Sequence, residues 1–256
     1  MLRKPPGPFA SSRSRLARGQ CHFRNLARKI NAYLKDIRCT SFTQKDAQGF
    51  EIHKIRIVSG PPIPRDCEHI AAEALEAIRS SLDQAAYAAA VCSGKIAPKS
   101  ALFPIADSAA DLENGIKGRC KDLPPEIVAL FRSFKPYKGG NDAIWTMNKL
   151  RNMGHANLVA VGAHSSQGLI NNAEALGFLE VIPAKWDRSK NELAVFRSLP
   201  GTQIKYDVEL TFDVVFDKID TIQSTISVSY IDDMALEASK IIRSTEAECR
   251  RLGYIT

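Results

Sequence analysis

Nowhere in the 256 residues is there the run of ~18 apolar residues that a bilayer-spanning helix requires. The N-terminus has no apolar core of the kind that drives secretion, so no export signal is expected. No CxxC pair and no cysteine–histidine cluster occurs, and Cys21, Cys39, Cys67, Cys92, Cys120 and Cys249 are widely and irregularly spaced. That spacing argues against a structural zinc site and for reduced, partly buried thiols. The chain also lacks a Walker loop, GxGxxG, HExxH and GxSxG. No metal and no cofactor is therefore expected, and the common nucleotide, zinc-protease and hydrolase chemistries have no sequence support. Acidic residues are nearly missing from the first 38 positions, where Asp36 stands against ten Lys and Arg.

That last scarcity explains the net charge of +7. Residues 1–38 sum to +9, and the other 25 basic and 27 acidic residues sum to −2. The basic character belongs to an N-terminal arm and first helix, which point to nucleic acid or an acidic protein surface as partner. Arg24, Arg28 and Lys29 are the candidate nucleic-acid contacts. The alternative is a solvated helix face behind a disordered leader. Hydrophobic content of 45% and charged content of 25% fit a soluble globular protein, expected to be cytoplasmic.

The strongest periodic stretch is Asp66–Cys92. Ala71, Leu75, Ile78, Leu82, Ala85 and Ala89 recur at steps of four and three, one apolar helix face. Small residues at 71, 74, 85, 86, 89 and 90 allow neighbours to approach closely on more than one side. This spacing predicts a central helix, capped by Asp66 and closed by Gly94.

Residues 1–13 are rich in Pro, Ser and basic residues and predict a disordered leader. They loosely resemble an Arg/Ser-rich transit peptide, and an over-extended start of translation is the alternative. A helix is predicted over Ser14–Ile37, with a stripe of Phe23, Leu26, Ile30, Tyr33, Leu34 and Ile37, and a strand over Phe50–Val58. Further helices are predicted at Ser108–Cys120, from Pro124-Pro125 onward, and over Asp142–His155. The period then changes to two. Strands are expected at Leu158–His164, Phe178–Ile182, Glu192–Arg197 and, longest, Gln203–Phe216, before a last helix at Ile231–Leu252. The expected fold is α+β: a central helical bundle, a mostly antiparallel sheet largely from the C-terminal half, and flanking terminal helices. A single domain over 14–256 is expected, with its helical core at about 65–156 and its β-rich part at about 157–217.

One polar constellation stands out. Asn148, Arg151, Asn152 and His155 sit at i, i+3, i+4 and i+7 on one helix face, and Arg79 and Asp83 lie four apart on the central helix. If those helices pack, Arg79, Asp83, Asn148, Arg151, Asn152 and His155 become candidate catalytic residues. A histidine moves protons near neutral pH, and a neighbouring arginine stabilises phosphate charge. The structural alternatives are a helix-register pair for Arg79–Asp83 and a dipole-stabilised helix end for His155. His22, His53, His69 and His164 have no ligand spacing and read as surface or core residues. Trp145 and Trp186 read as packing residues.

Several stretches together resemble a group of uncharacterised bacterial and phage-associated proteins. They are the basic helix RGQCHFRNLARKINAYL with His22, then Arg79-Ser80-Ser81-Leu82-Asp83-Gln84 followed by Tyr87, Phe103-Pro104-Ile105, Leu123–Tyr137, and a helix with Trp145. Gln84 replaces the group's usual histidine, and Gly154-His155 its usual Lys-His. The resemblance spans about residues 15–250 and implies a fold without an activity. Arg151-Asn152 followed by His155 also resembles, with a shorter interval, the Arg…His motif of HEPN helical domains. That resemblance implies a metal-independent RNase of a toxin or defence type, with His155 and Arg151 as its catalytic pair. The functional expectation is a non-enzymatic binding protein with a basic first helix, and a HEPN-like RNase is the alternative.

Overall fold

The computed structural model describes residues 7–59, 63–156, 161–187, 190, 192–216 and 226–255. It is an α+β fold with a helical core and antiparallel sheets. The chain divides into two compact units. The first holds residues 1–27, 68–159 and 229–256, and the second residues 28–67 and 160–228. Helix α1, Ala10–Lys35, runs through both.

The first unit is helical and is arranged around α2, Asp66–Cys92, over the predicted residues. Ala71, Leu75, Ile78, Leu82, Ala85 and Ala89 are all fully buried, and so are Ala74, Ala86 and Ala90. Each buried Leu or Ile contributes about 1.5–3 kcal/mol. Gly94 ends the helix with φ of 94°, a left-handed position that costs glycine nothing.

The alanines matter because α1 lies very close. A Cβ at Gly19 would stand 2.9 Å from Ile78 Cγ1 and 3.1 Å from the Ala74 carbonyl oxygen, so only glycine fits there. Helix α1 begins at Ala10, four residues before the periodicity predicts. The disordered leader is thus corrected for residues 10–13. Phe9 and Ser12 are buried and extend the 3/4 spacing of Leu16 and Gly19 toward the N-terminus. Residues 1–6 lie outside the described residues.

Helices α3 (Ala109–Arg119), α4 (Pro125–Ser133), α5 (Asp142–Ala156) and α6 (Tyr230–Arg251) complete this unit. Ser108 caps α3, its hydroxyl accepting from the Asp111 N–H. Phe131 of α4 meets Phe103 edge-on, ring centres 4.9 Å apart. Helix α6 buries Ile231, Met234, Ala238, Ile241 and Ile242, and Glu246 pairs with Arg13 of α1. No helix among the described residues is long and apolar enough to cross a membrane.

The second unit carries the strands. They are β1 (Arg38–Lys45), β2 (Glu51–Ser59), β3 (Val161–Leu176), β4 (Leu179–Asp187), β5 (Glu192–Ser198), β6 (Gln203–Phe216) and β7 (Ile226–Ser227). They form two sheets, ordered β1-β2-β5-β4 and β3-β6-β7, with every pairing antiparallel. Ile55, Leu193, Val195 and Phe196 make the apolar cluster of the first sheet. Glu192 ties β5 to β2 by accepting from Arg56 Nε at 2.8 Å and Lys54 Nζ at 3.3 Å. Those bonds, Arg56 first, hold its carboxyl below the usual range. Strand β6 matches its predicted bounds, but its end departs from strict alternation: Val214, Val215 and Phe216 are all buried.

Candidate functional site

Helix α5 is started by Asn141, whose Oδ1 accepts from the Ile144 N–H at 3.1 Å. Ile144, Met147 and Leu150 bury one face of it. Asn148, Arg151 and Asn152 are thereby left on the neighbouring face, which meets α2. Arg79 of α2 is the hub of that meeting. Its side chain is only 6% exposed. Nε donates to Asn148 Oδ1 at 3.3 Å and Nη2 to the Phe103 carbonyl at 3.0 Å. Nη1 lies 2.6 Å from Asp83 Oδ1, an ion pair whose angles fall short of a hydrogen bond. Asp83 Oδ1 also accepts from the Phe103 N–H at 3.0 Å. Arg79, Asp83 and the Phe103 peptide close a ring that clamps the 100–107 loop onto α2.

Arg151 points to the other flank. Its Nε donates to Glu76 Oε2 at 2.6 Å, its Nη2 to Glu76 Oε1 at 3.4 Å, and its Nη1 to Asn152 Oδ1 at 3.2 Å. A cavity of about 330 Å³ is lined by Arg79, Asp83, Asn148, Arg151 and Asn152, and Glu76, Ser80, Leu102 and Arg119 complete its wall. Five of the six predicted catalytic residues therefore do come together. His155 falls in the last turn of α5, and its side chain lies outside the described ones.

A second cavity, about 340 Å³, shares Glu76 and Arg151 with the first and is otherwise lined from α1 and α2. Arg15, Arg18 and His22 come from α1 and Glu73 from α2. Arg18 Nε donates to His22 Nε2 at 3.4 Å, and His22 Nδ1 lies 3.2 Å from Glu73 Oε2. Both contacts are satisfied when the proton sits on Nδ1, with Nε2 accepting. His22, read from sequence as surface or core, is thus a cavity residue. So are Arg15, Arg18, Glu73, Glu76 and Arg119, which sequence reasoning passed over. Their signal was present: 15, 18 and 22 share one flank of α1, and 73, 76 and 80 one flank of α2. Nothing in the sequence says that these flanks face each other.

The remaining expectations divide. Gln84 faces α1 instead of the cavity, accepting from Ser11 Oγ at 2.8 Å, and Tyr87 lines neither cavity. Of the candidate nucleic-acid contacts, Arg24 and Arg28 are exposed with no acidic partner among the described residues. Lys29 pairs with Asp66 at 2.7 Å. That bond raises the Lys29 pKa and occupies its charge within the fold. Trp145 is buried, with Nε1 donating to Asp107 Oδ1 at 2.8 Å, a packing residue with its polar edge satisfied.

No family model, no curated protein and no solved structure matches the chain.

Proposed function

We propose that the protein is a binding protein for nucleic acid, engaged through the basic face of α1. The observation that carries this reading is the state of its arginines. Arg24 and Arg28 stand exposed without an acidic partner among the described residues, whereas α2 and α6 supply partners for His22 and Arg13. Unpaired surface cations add repulsion and no stability to the folded chain, and they are the groups that neutralise phosphates and release counterions. Affinity for a single-stranded oligonucleotide should fall steeply with salt. Arg24→Gln and Arg28→Gln should each reduce the salt slope by about 0.7, the single-strand value per phosphate contact. Lys29→Gln should change it less, because Asp66 already holds that ammonium. A slope untouched in the Arg24→Gln, Arg28→Gln double variant would remove α1 as the interface.

A second reading, a HEPN-like metal-independent RNase, is favoured by the gathering of Arg79, Asp83, Asn148, Arg151 and Asn152 on one cavity beside the turn that carries His155. In that reading His155 moves the proton of the attacking 2′-hydroxyl or the leaving oxygen, and Arg151 neutralises the phosphate. His155→Ala should then lower RNA cleavage by at least ~10²-fold. The binding reading expects purified protein without cleavage, and a His155→Ala variant that binds the oligonucleotide as before.

A further inference from the structure

We propose that the two adjoining cavities of the helical unit bind a phosphate group, with Arg151 as shared anchor and Glu76 as the internal carboxylate that competes for it. This site is separate from Arg24 and Arg28 and does not require them. The argument begins with charge. Five guanidiniums (Arg15, Arg18, Arg79, Arg119 and Arg151) line the two cavities against three carboxylates. Arg79 is committed to Asp83, Asn148 and Phe103, and Glu73 is held by His22. That leaves Arg15, Arg18 and Arg119 without an acidic partner among the described residues. Among the described residues Arg15 bonds through Nε alone, to Ser80 Oγ at 3.3 Å, and Arg18 through Nε alone, to His22. Their terminal amino groups remain as donors beside the cavities they line.

The chemistry of the donors selects the ligand class. A guanidinium presents paired N–H groups matched to two oxygens of one phosphate, and three lining each cavity, with Arg151 common to both, favour a dianion over a carboxylate. Asn148 and Asn152 add amide donors to the same wall. Arg151 already displays this recognition in miniature, holding both oxygens of Glu76 with Nε and Nη2. A phosphate meeting Arg151 must trade against that carboxylate. The site therefore carries a built-in competitor, whose removal has a predictable sign.

The test is calorimetric titration of the full chain with inorganic phosphate, adenosine monophosphate, adenosine and a short single-stranded RNA. Phosphate and adenosine monophosphate should bind saturably with a Kd near or below about 1 mM, and adenosine should not. Glu76→Gln, which keeps the side chain's size and removes its charge, should tighten phosphate about 3–10-fold. Arg18→Gln and Arg151→Gln should each weaken it at least about tenfold, the worth of a lost charge-assisted bond. Arg243→Gln removes the same charge from an exposed position on α6 and should leave it unchanged. If the nucleotide binds far more tightly than RNA, the phosphate belongs to a free metabolite; the reverse order assigns it to a nucleic-acid chain. Phosphate binding without RNA binding keeps this site and removes the proposed function. RNA binding without any response to phosphate does the opposite. Glu76→Gln leaving affinity unchanged, or Arg243→Gln weakening it as much as Arg18→Gln, would overturn the site in favour of a diffuse surface field.

Discussion

Leu82→Asp should unfold the helical unit. Leu82 is fully buried on the inner face of α2, between Ile78 and Ala85, which are fully buried too. Removing its side chain alone costs about 2–5 kcal/mol, as for other buried leucines cut back to small residues. Asp then places a carboxylate where it must either ionise without a partner or take up a proton, and both add several kcal/mol. Against a total stability of about 5–15 kcal/mol, the sum leaves little or no folded protein at room temperature. Circular dichroism should show loss of helix and of the cooperative thermal transition. Leu82→Met, which keeps volume and polarity, should cost less than about 1.5 kcal/mol. A Leu82→Asp protein whose midpoint stays within about 2 °C of the parent would place this face of α2 at a surface.

That α2 was legible is no accident of composition. Its face repeats from Ala71 to Ala89 within a helix of 27 residues, and Gly94 marks its end. Strand β6 was legible for the matching reason, a long period-two pattern. Strand β1 was not, because RCTSFTQK is exposed along nearly its whole length and has no buried alternation to display. Its one signal was the turn that follows, where Asp46 Oδ1 accepts from the Gln48 and Phe50 N–H groups and Gly49 takes φ of 84°. The division into two sheets was equally hidden, since strand order depends on partners distant in sequence. The candidate site follows the same rule. Residues sharing one helix face, such as Asn148, Arg151 and Asn152, could be grouped from spacing. The α1 flank of Arg15, Arg18 and His22 could be grouped in the same way but not placed, because only the close approach at Gly19 brings it to Glu73 and Glu76. The sequence also could not say what each arginine meets: Arg79 is buried and tied to Asp83, Asn148 and Phe103, whereas Arg151 is partly exposed and tied to Glu76 and Asn152.

Arg79→Met turns that difference into a measurement. Arg79 is a buried cation joined to three elements: Asp83 one turn along its own helix, the Phe103 carbonyl in the loop, and Asn148 on α5. Methionine fills much of the same space without satisfying any of them. The Phe103 carbonyl loses its side-chain donor, and Asp83 is left with the Phe103 N–H as its one partner among the described residues. Breaking a fully buried ion pair costs about 3–5 kcal/mol. Asp83 is 30% exposed, so water screens part of the loss, and about 2–4 kcal/mol is the expected cost. For a chain of this size that lowers the thermal midpoint on the order of 5–15 °C. Adding Asp83→Asn should recover part of the loss, because its Oδ1 still accepts from Phe103 while the unpaired charge is gone. The double variant should therefore be more stable than Arg79→Met alone, a coupling that a thermodynamic cycle measures directly. An Arg79→Met protein that keeps its midpoint within about 2 °C but no longer binds phosphate or cleaves RNA would move Arg79 from the frame of the cavity to its working surface. The two hydrogen bonds and the ion pair that already occupy its guanidinium argue for the frame.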